Sequence, residues 1–325
     1  MRAGQTRKQS GQDRPRWRAK LRHRYDRAQG AKAEPLGQLT AWIEAQGWAT
    51  QDVDELERLD LTTYLRTTAH VELAPAERLR QLAIALESTL AHGSDQPRGW
   101  FALERIYGAA RALDPANADV ETSRAITAKE CAESAHFGER SDVERRILTA
   151  GREAASRAIE LRPEDARAHY VMGSIEYGSR DGSIEAALSC FEKAVELDPG
   201  FGWSRLYRAH CLHDMSRWAE AVEAYSAVDP AFFVGPIAWR YDLLREQRAW
   251  CRLQAGDRDR ALAEFLAVLQ RYEQQPNLAR YQLLKDLTAA AEGPLRAELS
   301  EGLARLHHII HPPDESIDTE ADAAR

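Results

Sequence analysis

The sequence predicts an all-α protein, a solenoid of stacked antiparallel helix pairs. Three observations carry that prediction. Apolar residues recur at helical spacing along most of the chain. A stripe of small, aromatic and small residues, mostly closed by proline, returns at intervals of 34 to 40 residues after one longer first interval. A further helical stretch precedes most of these stripes, so each stripe reads as the second half of a pair.

The clearest stripe is Ala187, Phe191, Ala194 and Pro199, spaced 4, 3 and 5. Gly151, Ala155, Ala158 and Pro163 keep the spacing with a small residue in place of the aromatic. Leu103, Tyr107, Ala110 and Pro115 keep it with a bulky first residue. Ala221 and Tyr225 lie four apart, as do Ala261 and Phe265. A small residue lets two helix backbones approach, and an aromatic one turn later fills the space beside it. Proline then ends the helix, because it lacks the amide and collides with the preceding turn. The helices ahead of the stripes run from Ala166 through Met172-Gly173 to Tyr177, from Gly202 to Asp214, and from about Ile237 to Gln254. The last is closed by Ala255-Gly256-Asp257.

These residues resemble the tetratricopeptide repeat, whose pattern is W-x2-L-G-x2-Y…A-x3-F…P. The resemblance covers about residues 84–275 in roughly five pairs: 84–117, 118–165, 166–201, 202–235 and 242–275. The pair 118–165 spans 48 residues, and its excess of about fourteen over the repeat length is placed around His136 to Asp142. The pair 202–235 has Pro230 early, and 242–275 lacks the closing proline. The resemblance implies a right-handed α-solenoid whose first helices line a concave groove for a protein segment. Carried over position by position, the groove residues are Arg167, Tyr170, Ser174 and Tyr177 from one pair. The next pair gives Trp203, Leu206, His210, His213 and Asp214, and the last gives Glu246, Trp250 and Leu253. Members that clamp a chaperone's terminal carboxylate use Lys, Arg and Asn on this face. Tyr170, Ser174, Leu206, His210, Glu246 and Trp250 do not look like such a clamp.

The flanks differ from the array. Residues 1–35 read as a basic, largely disordered arm. Residues 1–33 hold eleven Lys/Arg and two acids, while the whole chain of 325 residues has a net charge of −7. Trp17, Leu21 and Tyr25 fall on one helical face there, among Arg14, Arg16, Arg18, Lys20, Arg22, Arg24 and Arg27. Such an arm suits an acidic protein or nucleic acid. Residues 36–83 read as an N-terminal helical region, with one helical pattern over about 51–69 and another from Ala76 to His92. Residues 276–312 read as capping helices split near Gly293-Pro294, since the open end of an array needs a covered apolar face. Residues 313–325 read as an acidic disordered tail, with five acids and one base from Asp314 onward.

Composition narrows the function classes. A 44% hydrophobic content excludes wholesale disorder, and four scattered cysteines exclude a disulfide scaffold and a zinc ribbon. No run of about 18 apolar residues exists to span a membrane, and the arm lacks the apolar core of a signal peptide. The expectation is a cytoplasmic protein, and the excess of Arg over Lys hints at a bacterial source. GxGxxG, P-loop, GxSxG and HExxH patterns are absent. His70-Val71-Glu72 lacks the PCxxC that a deaminase needs, and Glu133-x-x-His136 is a single motif where a di-iron bundle uses two. His307, His308 and His311 sit at a helix C-terminus, where the dipole favours them. No pattern asks for a cofactor or a metal. The leading expectation is a non-enzymatic adaptor that binds a protein segment in the groove. The alternative is a nucleic-acid-associated factor that uses the arm, with the solenoid as carrier. Partner identity and oligomeric state stay open.

Overall fold

A computed structural model describes residues 53–90, 96–134, 141–276 and 291–311, together with Leu39, Ala45, Lys285, Thr288 and Ala289. The basic arm with Arg14, Arg16, Trp17, Arg18, Lys20, Arg22, Arg24 and Arg27, the acidic tail, and His136 lie outside the described residues. The described elements are helical, and the chain divides into two compact units, Met1–Pro199 and Gly200–Arg325. Among the described residues no helix is long and apolar enough to cross a membrane.

The first unit contains α1 (Val53–Glu57), α2 (Leu61–Thr67), α3 (Pro75–Leu90), α4 (Gln96–Leu113), α5 (Ala118–Ser134), α6 (Ser141–Leu161), α7 (Ala166–Gly178) and α8 (Ile184–Leu197). From α3 onward each helix packs on the next, and α3, α5 and α7 also pack on one another in turn. Short connections between packed neighbours make the pairs antiparallel. Contact between alternate helices is what stacked pairs produce. The helical array of tetratricopeptide-like pairs is therefore present in this unit.

Local chemistry sets the boundaries. The expected helix over 51–69 is two helices, because the Asp60 carboxylate accepts from Thr62 N at 3.0 Å and Thr63 N at 3.2 Å and starts α2 afresh. Asp165 caps α7 through Arg167 N at 2.9 Å, and Ser183 caps α8 through Ala186 N at 3.1 Å. The excess length of the pair 118–165 goes largely into helix. The helices α5 and α6 have 17 and 21 residues, against 13 and 14 for α7 and α8.

The stripes face inward as expected. Leu103, Tyr107 and Ala110 on α4, Ala155 and Ala158 on α6, and Ala187, Phe191 and Ala194 on α8 are fully buried. A Cβ added at Gly173 of α7 would lie 2.9 Å from the Phe191 ring and 3.1 Å from Cys190 Cβ, so only glycine allows that approach. The N-terminal helices share the first pair's core: Leu56, Tyr64 and Val71 cluster with Leu79, Leu86, Leu103 and Ile106. The helix α5 buries polar groups too. Arg124 Nε bonds both oxygens of Glu104 at 2.8 and 2.9 Å, Arg80 donates to Ser123 at 2.9 Å, and the Thr127 and Tyr107 hydroxyls meet at 2.9 Å. Partners of this kind offset the cost of taking these groups out of water.

The second unit contains α9 (Gly202–Asp214), α10 (Trp218–Ser226), 3-10 turns at Pro230–Phe232 and Gly235–Ile237, α11 (Trp239–Gln254), α12 (Arg258–Gln274) and α13 (Gly293–Ile310). Each helix packs on the next. Ala209, Ala221, Tyr225, Ala249, Ala261 and Phe265 are fully buried. The helices α9 and α11 end in one backbone shape. Arg217 N bonds Leu212 O and Ser216 N bonds His213 O, both at 2.9 Å. Asp257 N bonds Arg252 O at 2.9 Å and Gly256 N bonds Leu253 O at 3.1 Å. This paired closure needs a left-handed residue, and Ser216 (φ 60) and Gly256 (φ 87) supply it. On α13, Leu295, Leu299 and Leu306 are buried against Phe265, Leu269 and Tyr272 of α12.

Candidate functional site

The sequence-predicted groove residues divide between the two units. In the first, α7 carries Arg167, Tyr170, Ser174 and Tyr177. Arg167 Nη2 lies 3.0 Å from Asp119 Oδ1, and Arg162 Nη1 lies 3.0 Å from the same oxygen. Burial alone would raise the Asp119 carboxyl. The Arg162 hydrogen bond and charge, with Arg80 and Arg167 behind them, hold it below its ordinary value. Tyr170 is half-buried, its ring 5.9 Å from that of Phe191. Tyr177 is half-buried. Ser174 departs from the expectation: it is buried, and its hydroxyl donates to the Tyr170 carbonyl at 2.9 Å. A hydroxyl in mid-helix bonds back one turn when no solvent reaches it.

In the second unit α9 carries Trp203, Leu206, His210, His213 and Asp214. Leu206 is a core side chain at 2% exposure, so it lines no surface. Trp203 is half-buried with the Phe232 ring edge-on at 5.0 Å. The Arg240 guanidinium lies over it at 5.2 Å and over Trp239 at 4.8 Å. Stacking of this kind holds a cation against an aromatic face while one edge stays wet. His210 Nδ1 lies 2.8 Å from the Tyr225 hydroxyl oxygen and His213 Nδ1 lies 3.3 Å from it. The same hydroxyl donates to Gln247 Oε1 at 3.4 Å. Asp214 is exposed.

On α11, Glu246 is fully buried and accepts from the Tyr272 hydroxyl, so it too leaves the predicted surface. Trp250 and Leu253 are half-buried and pack against the cluster around Phe265 and Leu269. The structure thus gathers Trp203, His210 and His213 on one stretch of α9. It adds Arg240 and Phe232, which the repeat pattern did not mark, because they come from a non-repeating connection and the helix start beyond it. Among the described residues no group of three or more His, Cys, Asp or Glu is placed to hold a metal. The His307 and His311 rings meet at a tilt of 53°, with centroids 4.8 Å apart.

The histidines give a pH prediction. Burial pushes His210 down to about 3, helped by the charges of His213 and Arg240, and burial also lowers His213. An unfolded His210 binds a proton below its ordinary 6.5, whereas the folded one stays neutral to about 3. The unfolded state holds more protons in that window. Stability is therefore fully present above 6.5 and falls as pH drops toward 3. By pH ~5 the loss from this side chain is about 1–2 kcal/mol. Denaturant melts of the unchanged chain and of His210→Gln across this range check it. An equal pH response in the two would contradict the assignment.

No protein-family model matches the chain. It is 27% identical over 178 residues to regulator of microtubule dynamics protein 3 of Rattus norvegicus, and 27% identical over 180 residues to that of Bos taurus. These matches cover 42% and 43% of the chain, and 37% and 38% of the relatives' own length. The chain thus spans under two fifths of the curated relatives it matches. Among solved structures, YrrB, described as a TPR protein with an unusual peptide-binding site, shares 16% identity at TM-score 0.43. That match covers 65% of this chain and 92% of YrrB. MamA shares 17% identity at TM-score 0.41, over 55% of this chain and 92% of its own. TTC0263, a thermophilic TPR protein of Thermus thermophilus, shares 16% at TM-score 0.38, over 70% and 99%. These scores are low, and it is the chain's own helix pairs, with their buried small–aromatic–small stripes, that make its fold tetratricopeptide-like.

Proposed function

We propose that the chain is a non-enzymatic adaptor that holds a protein segment against the first helices of its pairs. The observation that supports this most directly is the half-buried Trp203, with Phe232 at its edge and the Arg240 guanidinium over its face. Trp, Tyr and Arg are the residue types that concentrate binding energy in interfaces. A flat indole already held by two neighbours gives a partner apolar area with little ordering left to do. His213 and Asp214 about three turns further along α9, with Trp250 and Leu253 of α11, extend the same reading. The buried thiols Cys131, Cys211 and Cys251 suit a reducing compartment.

The test begins with a nuclease-treated pull-down from the native host using the full chain. The affinity of the recovered protein is then measured by calorimetry. Trp203→Ala is expected to weaken binding at least about tenfold, the effect of a central anchor. Circular dichroism should show that the variant still melts cooperatively. Retention of the partner within about twofold by both Trp203→Ala and Trp250→Ala would sink the reading. Recovery that collapses on nuclease treatment would shift the working site to the basic arm and its phosphate contacts.

A further inference from the structure

The adaptor reading leaves unused a shallow cleft of about 530 Å³ between α11 and α12 in the second unit. Tyr241, Arg245, Arg248 and Arg252 line it from α11, and Arg260 and Glu264 from α12. The first four fall at i, i+4, i+7 and i+11, which is one face of a helix. The repeat pattern places its bulky Trp, Leu and Tyr at three of these positions when Ala249 is aligned with the pattern's glycine. This pair reads Arg245-x2-Arg248-Ala249-x2-Arg252 instead. An apolar packing stripe has become a row of guanidinium groups.

Beneath the row lies one carboxylate. The Glu264 side chain is 6% exposed. Arg248 reaches it with Nη2 at 2.5 Å and Nε at 3.1 Å, Arg252 bonds its other oxygen, and Arg245 Nε stands 3.8 Å away. Arg252 Nε is buried and makes no hydrogen bond. The remaining acids are already shared. Asp242 lies between Arg245 at 3.9 Å and Arg271 at 3.5 Å, and Asp257 is 3.6 Å from Arg260. Among the described residues that line the cleft, four arginines thus face the single carboxylate of Glu264, a surplus of positive charge on this side of the hairpin. Like charges gathered in this way repel unless an anion joins them, and paired guanidinium forks are the side chains that take carboxylates bidentately.

We propose that this cleft binds the carboxylates of an acidic peptide segment, and that its occupant is the chain's own stretch Asp314 to Asp322. Three observations favour that occupant. The stretch holds Asp314, Glu315, Asp318, Glu320 and Asp322 and no base, a complement to the surplus in the cleft. Its starting point is close. Glu292 lies 3.6 Å from Arg258 at the start of α12, and Arg305 lies 2.9 Å from Glu273 near its end. The helix α13 therefore runs parallel to α12 and releases the chain at the end where Arg271 meets Asp242. The spacing also matches. In an extended chain Asp318, Glu320 and Asp322 share one side at steps of ~6.6 Å, a span of ~13 Å, and Arg245 to Arg252 rises ~10.5 Å along α11. The eleven residues 312–322 reach ~36 Å when extended, more than the ~24 Å length of α11.

The experiment uses the full chain and a fluorescein-labelled peptide with the sequence of residues 312–325, read by fluorescence anisotropy at low salt. In the unchanged chain the attached segment competes with the peptide. Neutralising it with D318N/E320Q/D322N is expected to raise affinity for the labelled peptide at least tenfold. Adding R245Q/R260Q, two side chains that keep the Arg248–Glu264 pair intact, is expected to return affinity at least tenfold lower with an unchanged melting curve. A peptide neutralised at the same three positions should not bind. The proposal is overturned if the unchanged chain binds the labelled peptide as tightly as the triple variant, or if the neutral peptide binds equally. It is also overturned if R245Q/R260Q has no effect. A neutral-sequence phosphoserine peptide that binds tenfold tighter than the labelled one would overturn the choice of occupant. The Trp203→Ala variant is expected to bind the labelled peptide unchanged, which separates this site from the adaptor surface.

Discussion

Glu264→Gln is expected to lower the melting temperature of the second unit by on the order of 10 °C. The carboxylate is buried under Arg248 and Arg252, with Arg245 just beyond hydrogen-bond range. Gln keeps the shape and one acceptor but removes the charge. Three guanidinium groups then share a low-dielectric pocket with nothing of opposite sign at its base. Removing one partner of a fully buried ion pair costs about 3–5 kcal/mol. The arginine side chains here keep 17–21% exposure, so water screens part of the repulsion and about 2–4 kcal/mol is expected. Arg248→Gln added to Glu264→Gln should return part of the loss, because it removes one of the charges left behind. Thermal melts followed by circular dichroism decide the matter. A shift under about 2 °C for Glu264→Gln would show that the cluster is solvated and that its geometry contributes little.

Phe191→Ala in the first unit is expected to cost about 3–5 kcal/mol. The ring is fully buried, touches the glycine face of α7 at Gly173, and meets the Tyr170 ring at 5.9 Å. Neither neighbour can move in to fill the space, since one lacks a side chain and the other is held in its own cluster. Gly173→Ala alone drives a methyl to 2.9 Å from that ring and should cost about 1–3 kcal/mol. Combining Gly173→Ala with Phe191→Leu should cost less than the sum of the two, because the smaller side chain yields the room the methyl takes. Urea melts of the unchanged chain, the three single variants and the double variant measure these effects. Strict additivity, or a loss below about 1 kcal/mol for Phe191→Ala, would mean that this contact does not hold the pair together.

The helix pairs were legible because their information is local. A stripe of Ala187, Phe191 and Ala194 declares a buried face whatever surrounds it, and Gly202 to Asp214 emerged with the ends the sequence implied. The candidate surface was legible only in part. Helical phase alone cannot tell a groove position from a core position where two faces meet. Leu206 and Ser174 fall inside for that reason. Glu246 reads as a surface residue, yet the Tyr272 hydroxyl, 26 residues away, gives its carboxylate a buried partner. Phe232 reaches Trp203 from a connection with no repeat signature, and Arg240 from the first turn of α11. The row Arg245, Arg248 and Arg252 was written in the sequence, at positions where the pattern calls for bulky apolar groups. Its meaning depended on Glu264 across the turn.

The closures of α9 and α11 share a geometry but not a cost. One backbone shape is built twice, with Ser216 in one copy and Gly256 in the other. Serine in the left-handed region costs on the order of 1 kcal/mol more than glycine, so the copy at Ser216 persists under mild strain. The same turn is thus held at unequal cost at the two ends, and a glycine at Ser216 would relieve the dearer one without altering any contact.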